Sequence, residues 1–248
     1  MAQAGCAVVI GASGGIGGAL VRALLRRPDF EVVVALSRAG FAPESRESAV
    51  RLVHGRIDLL DEASIMQAVQ GPVAEAGLPP TLILVATGLL HGEGLGQPER
   101  SWRALDAEAL TLAWRVNAVG PALVAKHMLP LLPRAGRSVF AALSARVGSI
   151  GDNRLGGWHA YRASKAGLNM ILRNLAIELA RSRLEAICLG LHPGTVDTGL
   201  SLPFQAGVPA GRLFTPEFCA TSLLAVCDAA LPAQSGQVLA WDGAQVPP

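Results

Sequence analysis

The segment Cys6-Ala7-Val8-Val9-Ile10-Gly11-Ala12-Ser13-Gly14-Gly15-Ile16-Gly17 joins an apolar run to a glycine-rich turn that opens a helical pattern. The run Cys6 to Ile10 is uncharged and β-prone, as a strand covered on both faces should be. Glycines suit a backbone that turns sharply and lets phosphate approach its N–H groups, with the partial positive charge of a helix start behind them. Gly11, Ser13, Gly14, Gly15, Ile16 and Gly17 are therefore candidate nucleotide-binding residues. Their spacing, G-x-x-x-G-x-G, departs from the common dinucleotide fingerprint, and a plain strand-to-helix turn uses similar residues. The order strand, turn, helix, strand favours the nucleotide.

Outward from this segment, short apolar runs alternate with longer helical stretches. Strands are expected at Cys6–Ile10, Glu31–Leu36, Val50–Ile57, Leu82–Ala86, Ser138–Leu143, Glu185–Leu191 and Gln237–Trp241. Helices are expected near Ile16–Arg27, Glu62–Gln70, Asp106–Leu132, His159–Arg181 and Pro216–Ala230, the last announced by Thr215 as cap and Pro216 at the first position. The alternation predicts an α/β fold, a doubly wound parallel sheet of Rossmann type with helices on both faces. Gly88–Gln97 and Thr195–Leu213 fit neither element and are read as loops at the ligand crevice. Without repeat or linker, residues 1–248 are expected to form one domain.

Composition excludes other classes. A chain of 248 residues with 51% hydrophobic and 16% charged content can bury a real core and is not disordered. A net charge of +2 without a basic block offers no footprint for nucleic acid. The apolar runs are far short of the roughly 18 residues needed to cross a membrane. Cys6, Cys188, Cys219 and Cys227 show no C-x-x-C or zinc spacing, and His54, His91, His127, His159 and His192 show no metal spacing. The expectation is a reduced, cytoplasmic protein with no metal.

The second strand indicates which dinucleotide binds. An NAD site wants an acid there for the ribose 2′-hydroxyl. The chain has Ser37-Arg38 instead, and an arginine suits a 2′-phosphate, hence NADP(H). Arg38 as a solvated surface residue is the plainer reading. Asp58 and Leu59, closing the third strand, are candidates for adenine, although Asp58 could equally cap the next helix.

The chain has one tyrosine, Tyr161, and two lysines, of which Lys165 lies four residues after it on the same predicted helix face. A phenol with an ordinary pKa near 10 needs about 3–4 kcal/mol of help to work near neutrality. One ammonium at about 4 Å in a partly screened site is worth about that. The pair can thus form a general acid/base. A core tyrosine beside a solvated lysine is the bland alternative.

These residues carry a resemblance. The Gly11 loop, Asn117 in Val116-Asn117-Ala118-Val119-Gly120, Ser144 at a strand end, Tyr161-x-x-x-Lys165 and His192-Pro193-Gly194 occur in the order of the short-chain dehydrogenase/reductases, over essentially the whole chain. The segment Ser144–Lys165, with Gly156-Gly157-Trp158 before the tyrosine, is most similar to the C-factor/sniffer-type carbonyl reductases. The resemblance implies that Tyr161 gives the proton to a carbonyl as hydride arrives from nicotinamide. It implies that Lys165 holds the ribose and lowers the tyrosine pKa, that Asn117 anchors a relay water, and that a serine binds the carbonyl oxygen. Pro193, Gly194, Val196 and Thr198 would border the nicotinamide, and Ala86, Thr87 and Gly88 would line the cofactor.

Three departures matter. The family's Asn-Asn-Ala-Gly reads Val85-Ala86-Thr87-Gly88. Alignment on Gly148 puts the family's serine at Ala145, so Ser144 serves only after a one-residue shift, with Ser149 as fallback. The interval from Ser144 to Tyr161 is longer than usual, by a Gly-rich turn at Asp152–Gly157. Trp158 and His159 could touch substrate or simply pack the helix start, and Asp197 reads as a loop-ordering residue.

The expected function is NADP(H)-dependent interconversion of a small-molecule carbonyl and alcohol, with Asn117, Ser144, Tyr161 and Lys165 at the site. The alternative is a C-factor-like dinucleotide-binding regulator with little turnover. A nucleotide-sugar epimerase is a weaker third, because 248 residues leave no room for a sugar-binding domain. Related proteins pair the helices around Asn117 and after Tyr161 between subunits, so a homodimer or homotetramer is expected. The apolar stretch Ser201-Leu202-Pro203-Phe204 suggests a lid over an apolar carbonyl.

Overall fold

The computed structural model describes residues 5–39, 48–182 and 185–248. Its strands are β1 (Gly5–Ile10), β2 (Phe30–Ser37), β3 (Arg51–Arg56), β4 (Pro80–Val85), β5 (Ser138–Leu143), β6 (Ala186–His192), β7 (Thr195–Val196), β8 (Leu213–Phe214), β9 (Val238–Ala240) and β10 (Gln245–Val246). The helices are α1 (Gly15–Leu24), α2 (Glu62–Ala68), α3 (Ala107–Trp114), α4 (Gly120–Met128), α5 (His159–Ser182) and α6 (Pro216–Ala229). Eight strands form one sheet in the order β10-β9-β6-β5-β4-β1-β2-β3.

Strand alternation builds a core on each side of that sheet. Val8, Val34, Ile83 and Phe140 pack with Ile65 of α2, Met128 of α4 and Leu168 and Leu172 of α5. Their neighbours Val9, Val33, Leu84 and Ile187 face the other way, onto Leu20 and Leu24 of α1 and Leu223 and Leu224 of α6. Both faces of the central strands are covered, so β1, β4, β5 and β6 carry no polar side. The edge strand β3, by contrast, exposes Arg51, His54 and Arg56. The predicted α/β fold is what forms. All four cysteines are buried free thiols. Among the described residues no helix is long and apolar enough to cross a membrane.

Two expectations need correction. The sheet is not wholly parallel, since β10 runs antiparallel to β9 at one edge. Thr195–Leu213 is not plain loop: β7 pairs with β8, and Leu202–Gly207 forms a 3-10 turn. Strands of two residues are too short to register as periodicity. The predicted helix Asp106–Leu132 is continuous but passes through a π-helical turn at Arg115–Val119.

The topology fixes where a ligand can sit. The chain winds β1 to β3 in one direction, then crosses back to β4 beside β1 and winds outward again. The loops leaving β1 and β4 therefore part at their carboxyl ends and open a crevice.

Candidate active site

A cavity of about 570 Å³ occupies that crevice. It is lined by Gly11, Ser13 and Gly14 after β1, Ser37 and Arg38 after β2, Asp58 and Leu59 after β3, and Ala86, Thr87 and Gly88 after β4. Gly11 has φ +90, and a Cβ there would strike the Ala86 carbonyl. A Cβ on Gly17 would run into the Gly11 carbonyl, so neither position tolerates a side chain. Ile16 packs into the core beneath. Asp58 accepts from Leu60 N at 3.0 Å and is not the cap of α2, which is Asp61, accepting from Ala63 N.

Arg38 is exposed at the cavity rim and makes no hydrogen bond or ion pair among the described residues. Thr87 Oγ1 is buried without a hydrogen-bond partner among the described residues. Such an atom costs on the order of 1–3 kcal/mol unless a ligand satisfies it. A cleft floored by glycines, with a hydroxyl that lacks a partner among the described residues, fits a dinucleotide.

The second half of the site stands beside this cavity. Tyr161 and Lys165 lie one turn apart in α5, both buried. Lys165 Nζ donates to the Leu143 carbonyl at 2.7 Å and sits 5.8 Å from the Tyr161 ring centre. A Cβ placed on Gly88 would lie 3.8 Å from Lys165 Nζ and 3.9 Å from Asn117 Oδ1. The lysine, the asparagine and the β4 loop thus converge. Asn117, on the π-helical turn, pairs with Leu89 through both ends of its amide: Oδ1 accepts from Leu89 N and Nδ2 donates to Leu89 O, each at 2.8 Å. Nδ2 also donates to Ser164 Oγ at 3.0 Å. Both Nδ2 hydrogens are thus engaged while Oδ1 keeps one lone pair, and the side chain ties α5 and the β4 loop together.

Electrostatically the pair behaves differently from the sequence expectation. Burial pushes the Tyr161 phenol up to about 12 and the Lys165 ammonium down to about 7. The same low-polarity surroundings disfavour both charges.

Ser144 is buried, and its hydroxyl donates to Asn169 Oδ1 at 2.6 Å. No hydrogen bond joins it to Tyr161 among the described residues. Ser149, the fallback, donates to the Pro248 carbonyl at 3.2 Å. Ala145 follows Ser144 and leads into a 3-10 turn, Arg146–Gly148, whose Gly148 packs directly on Lys165. In the loop after β6, Thr198 touches the glycine turn, its methyl 2.7 Å from where a Gly15 Cβ would be. That contact brings Pro193, Gly194, Val196 and Thr198 to the same end of the sheet.

The short chain dehydrogenase family model matches residues 5–207. The chain belongs to the short chain dehydrogenase family. As such it is an oxidoreductase that binds a nicotinamide dinucleotide and acts on small molecules. It is similar to the cis-4-hydroxycyclohexanecarboxylate dehydrogenase of Sinomonas cyclohexanicum, 30% identical over 96% of this chain and 94% of that one. It also resembles the C-signal protein of Myxococcus xanthus, 34% identical over 59% of this chain and 84% of that one. In fold it matches the NADPH-bound carbonyl reductase from chicken fatty liver, with TM-score 0.82, 24% identity and full coverage of both chains. The carbonyl reductase Sniffer of Drosophila melanogaster gives TM-score 0.79, 22% identity and 99% coverage of each chain.

For this short chain dehydrogenase, the sequence reading missed Glu99. Its buried carboxylate accepts from Ala160 N at 3.2 Å, at the first turn of α5, and its carbonyl accepts from Trp158 N at 2.5 Å. The signal was an absence. The residues before α5, Gly156-Gly157-Trp158, contain no side chain able to cap a helix, so the cap comes from elsewhere in the chain.

Proposed function

We propose that this chain is an NADP(H)-dependent reductase that interconverts a carbonyl and an alcohol, with Tyr161 as the acid/base. The observation that supports it best is the convergence of Tyr161, Lys165, Asn117 and Gly88 beside a cavity with Arg38 at its rim. The dehydrogenase and carbonyl reductase activities in the names of its relatives point the same way.

Gly11, Ser13, Gly14, Gly15, Ile16 and Gly17 would hold the dinucleotide phosphates, and Ser37 and Arg38 the 2′-phosphate. Asp58 and Leu59 would flank adenine, and Ala86, Thr87 and Gly88 would line the path to the nicotinamide, bordered by Pro193, Gly194, Val196 and Thr198. When bound, the dinucleotide would supply a hydride, one hydrogen with two electrons, to the carbonyl carbon. Tyr161 gives its phenolic proton to the oxygen that gains the electron pair, completing the alcohol. In reverse, tyrosinate takes the alcohol proton. Lys165, whose ammonium the Leu143 carbonyl orients, stabilises that tyrosinate and holds the ribose. Asn117 fixes the spacing between α5 and the β4 loop.

Ser144, like Asn117, takes a role different from the expected one. Its single proton goes to Asn169, which leaves none for a carbonyl oxygen. We assign it to bracing α5 one turn beyond Lys165. The 248 residues would work as one domain, in the cytoplasm, as a homodimer or homotetramer. The exposure of Trp114 (43%) on α3 and Met170 (62%) and Ile177 (41%) on α5 supports pairing of those helices.

NADPH oxidation measured against a panel of aldehydes, ketones and quinones tests the function. Turnover with at least one carbonyl class is the expected result. Tight NADPH binding with no turnover on the whole panel would overturn it in favour of a non-catalytic binding protein.

A further inference from the structure

Immediately before Tyr161 the backbone does something unusual. Gly156, Gly157 and Trp158 have φ of +63, +66 and +50, and Trp158 is the one non-glycine residue with positive φ among those described. A bulky aromatic residue in that conformation is strained by about 1–3 kcal/mol and persists only where its surroundings hold it. Here Glu99 holds it, accepting from Trp158 N with its carbonyl and from Ala160 N with its carboxylate.

The held indole meets two rings, and a third stands behind one of them. It lies edge-on to Tyr161, with centroids 6.4 Å apart, and it packs against Phe204 at 4.9 Å. Phe204 in turn stands edge-on to His91 at 5.7 Å. His91 is fixed from the other side by its Nε2 contact with the Leu200 carbonyl at 3.1 Å. Phe204 belongs to the 3-10 turn Leu202–Gly207, between β7 and β8, while Trp158 ends the loop that leads into α5 and His91 lies in the β4 loop that carries Gly88. The chain therefore seats one of its own benzene rings on the indole that flanks the proposed acid.

We propose that Trp158 is the specificity-determining residue of the site, and that it selects carbonyl compounds borne on an aromatic ring, which take the place of Phe204 on the indole. The proposal rests on the carbonyl-reductase reading above. A linear aliphatic substrate would have to give up the Phe204–Trp158 contact and offer no ring in return. An aryl ketone replaces one ring-on-indole contact with another, worth about 0.5–1.5 kcal/mol beyond the area buried.

Two ketones of equal carbon number, acetophenone and 2-octanone, separate the ring from simple apolarity. Calorimetry on the complex with NADP⁺, which cannot reduce a ketone, reads binding without turnover. The native protein should bind acetophenone about tenfold more tightly than 2-octanone. In Trp158→Asn, whose side chain tolerates positive φ and so keeps the turn, that ratio should fall to near one. Phe204→Ala should tighten acetophenone several-fold, because no resident ring has to leave. Equal binding of the two ketones by the native protein, or an unchanged ratio in Trp158→Asn, would overturn the proposal. Absence of NADPH-driven turnover with both ketones strikes the reductase reading alone, since the binding ratio is measured without it.

Discussion

The hydroxyl of Ser144 donates to Asn169 Oδ1 across 2.6 Å, on the face of α5 that two turns earlier carries Tyr161. Both side chains belong to the packing of α5 on β5. Ser144→Ala should therefore cost about 1–2 kcal/mol of stability, read from denaturant midpoints, and lower kcat less than threefold. Ala145→Ser, which restores a hydroxyl at the position the family pattern assigns, should raise kcat/KM several-fold. A hundredfold loss of kcat in Ser144→Ala, with unchanged stability, would return Ser144 to the reacting centre.

Glu99 caps a helix from 61 residues away in the chain. Removing the carboxylate leaves Ala160 N without its partner at the start of α5. Glu99→Ala should lower stability by about 1–2 kcal/mol, while Glu99→Gln, which keeps an acceptor oxygen, should recover most of it. Thermal unfolding of both variants checks the order. Identical Tm values for Glu99→Ala and the native protein would remove the cap.

Lys165 makes stability depend on pH in a stated direction. Its pKa falls from 10.5 unfolded to about 7 folded, because burial disfavours the ammonium. Between those values the unfolded chain holds more protons, so the native protein gains stability as pH rises from about 7 to 10.5. Lys165→Met removes the cost and should gain stability relative to the native protein as pH falls from 10 to 6.5. A difference that is constant across this range would contradict the buried ammonium.

His192 sets the acid limit. Its pKa is held down to about 4 from 6.5 by burial first and by Arg146 second, with Asp242 opposing them. Its Nδ1 accepts from Arg146 N at 3.3 Å, which requires the unprotonated nitrogen. Stability is thus complete above about pH 6.5 and is lost progressively as pH falls toward 4. His192→Asn keeps an acceptor without the titration and should flatten this part of the profile.

The sheet and the cofactor turn were legible in the sequence because uncharged β-prone runs and the Gly11 turn are local patterns. Arg38, Tyr161 and Lys165 were legible for the same reason: their spacing within one strand end or one helix carries the information. What escaped depends on distant contacts. Glu99 is read only once the fold brings it to α5, and the strain at Trp158 only once φ is known. The direction of the Tyr161 shift was misjudged because spacing shows a neighbouring lysine but not the burial that weakens its charge. Ser144 sits at the right strand end, yet alternation turns it toward Asn169.

Arg38 carries the choice of dinucleotide. Arg38→Asp should reverse the preference from NADPH to NADH by at least tenfold in kcat/KM, because a carboxylate repels the 2′-phosphate and accepts from a 2′-hydroxyl. An unchanged ratio would take Arg38 out of the site.

The role of Tyr161 is open to a single comparison, kcat of Tyr161→Phe against the native protein with NADPH and the best carbonyl of the panel. The variant keeps the ring against Trp158 and loses only the proton donor. A loss of about 10²–10⁴ in kcat, with NADPH affinity retained, is the expected result. Turnover within a few-fold of the native rate would show that the proton comes from elsewhere.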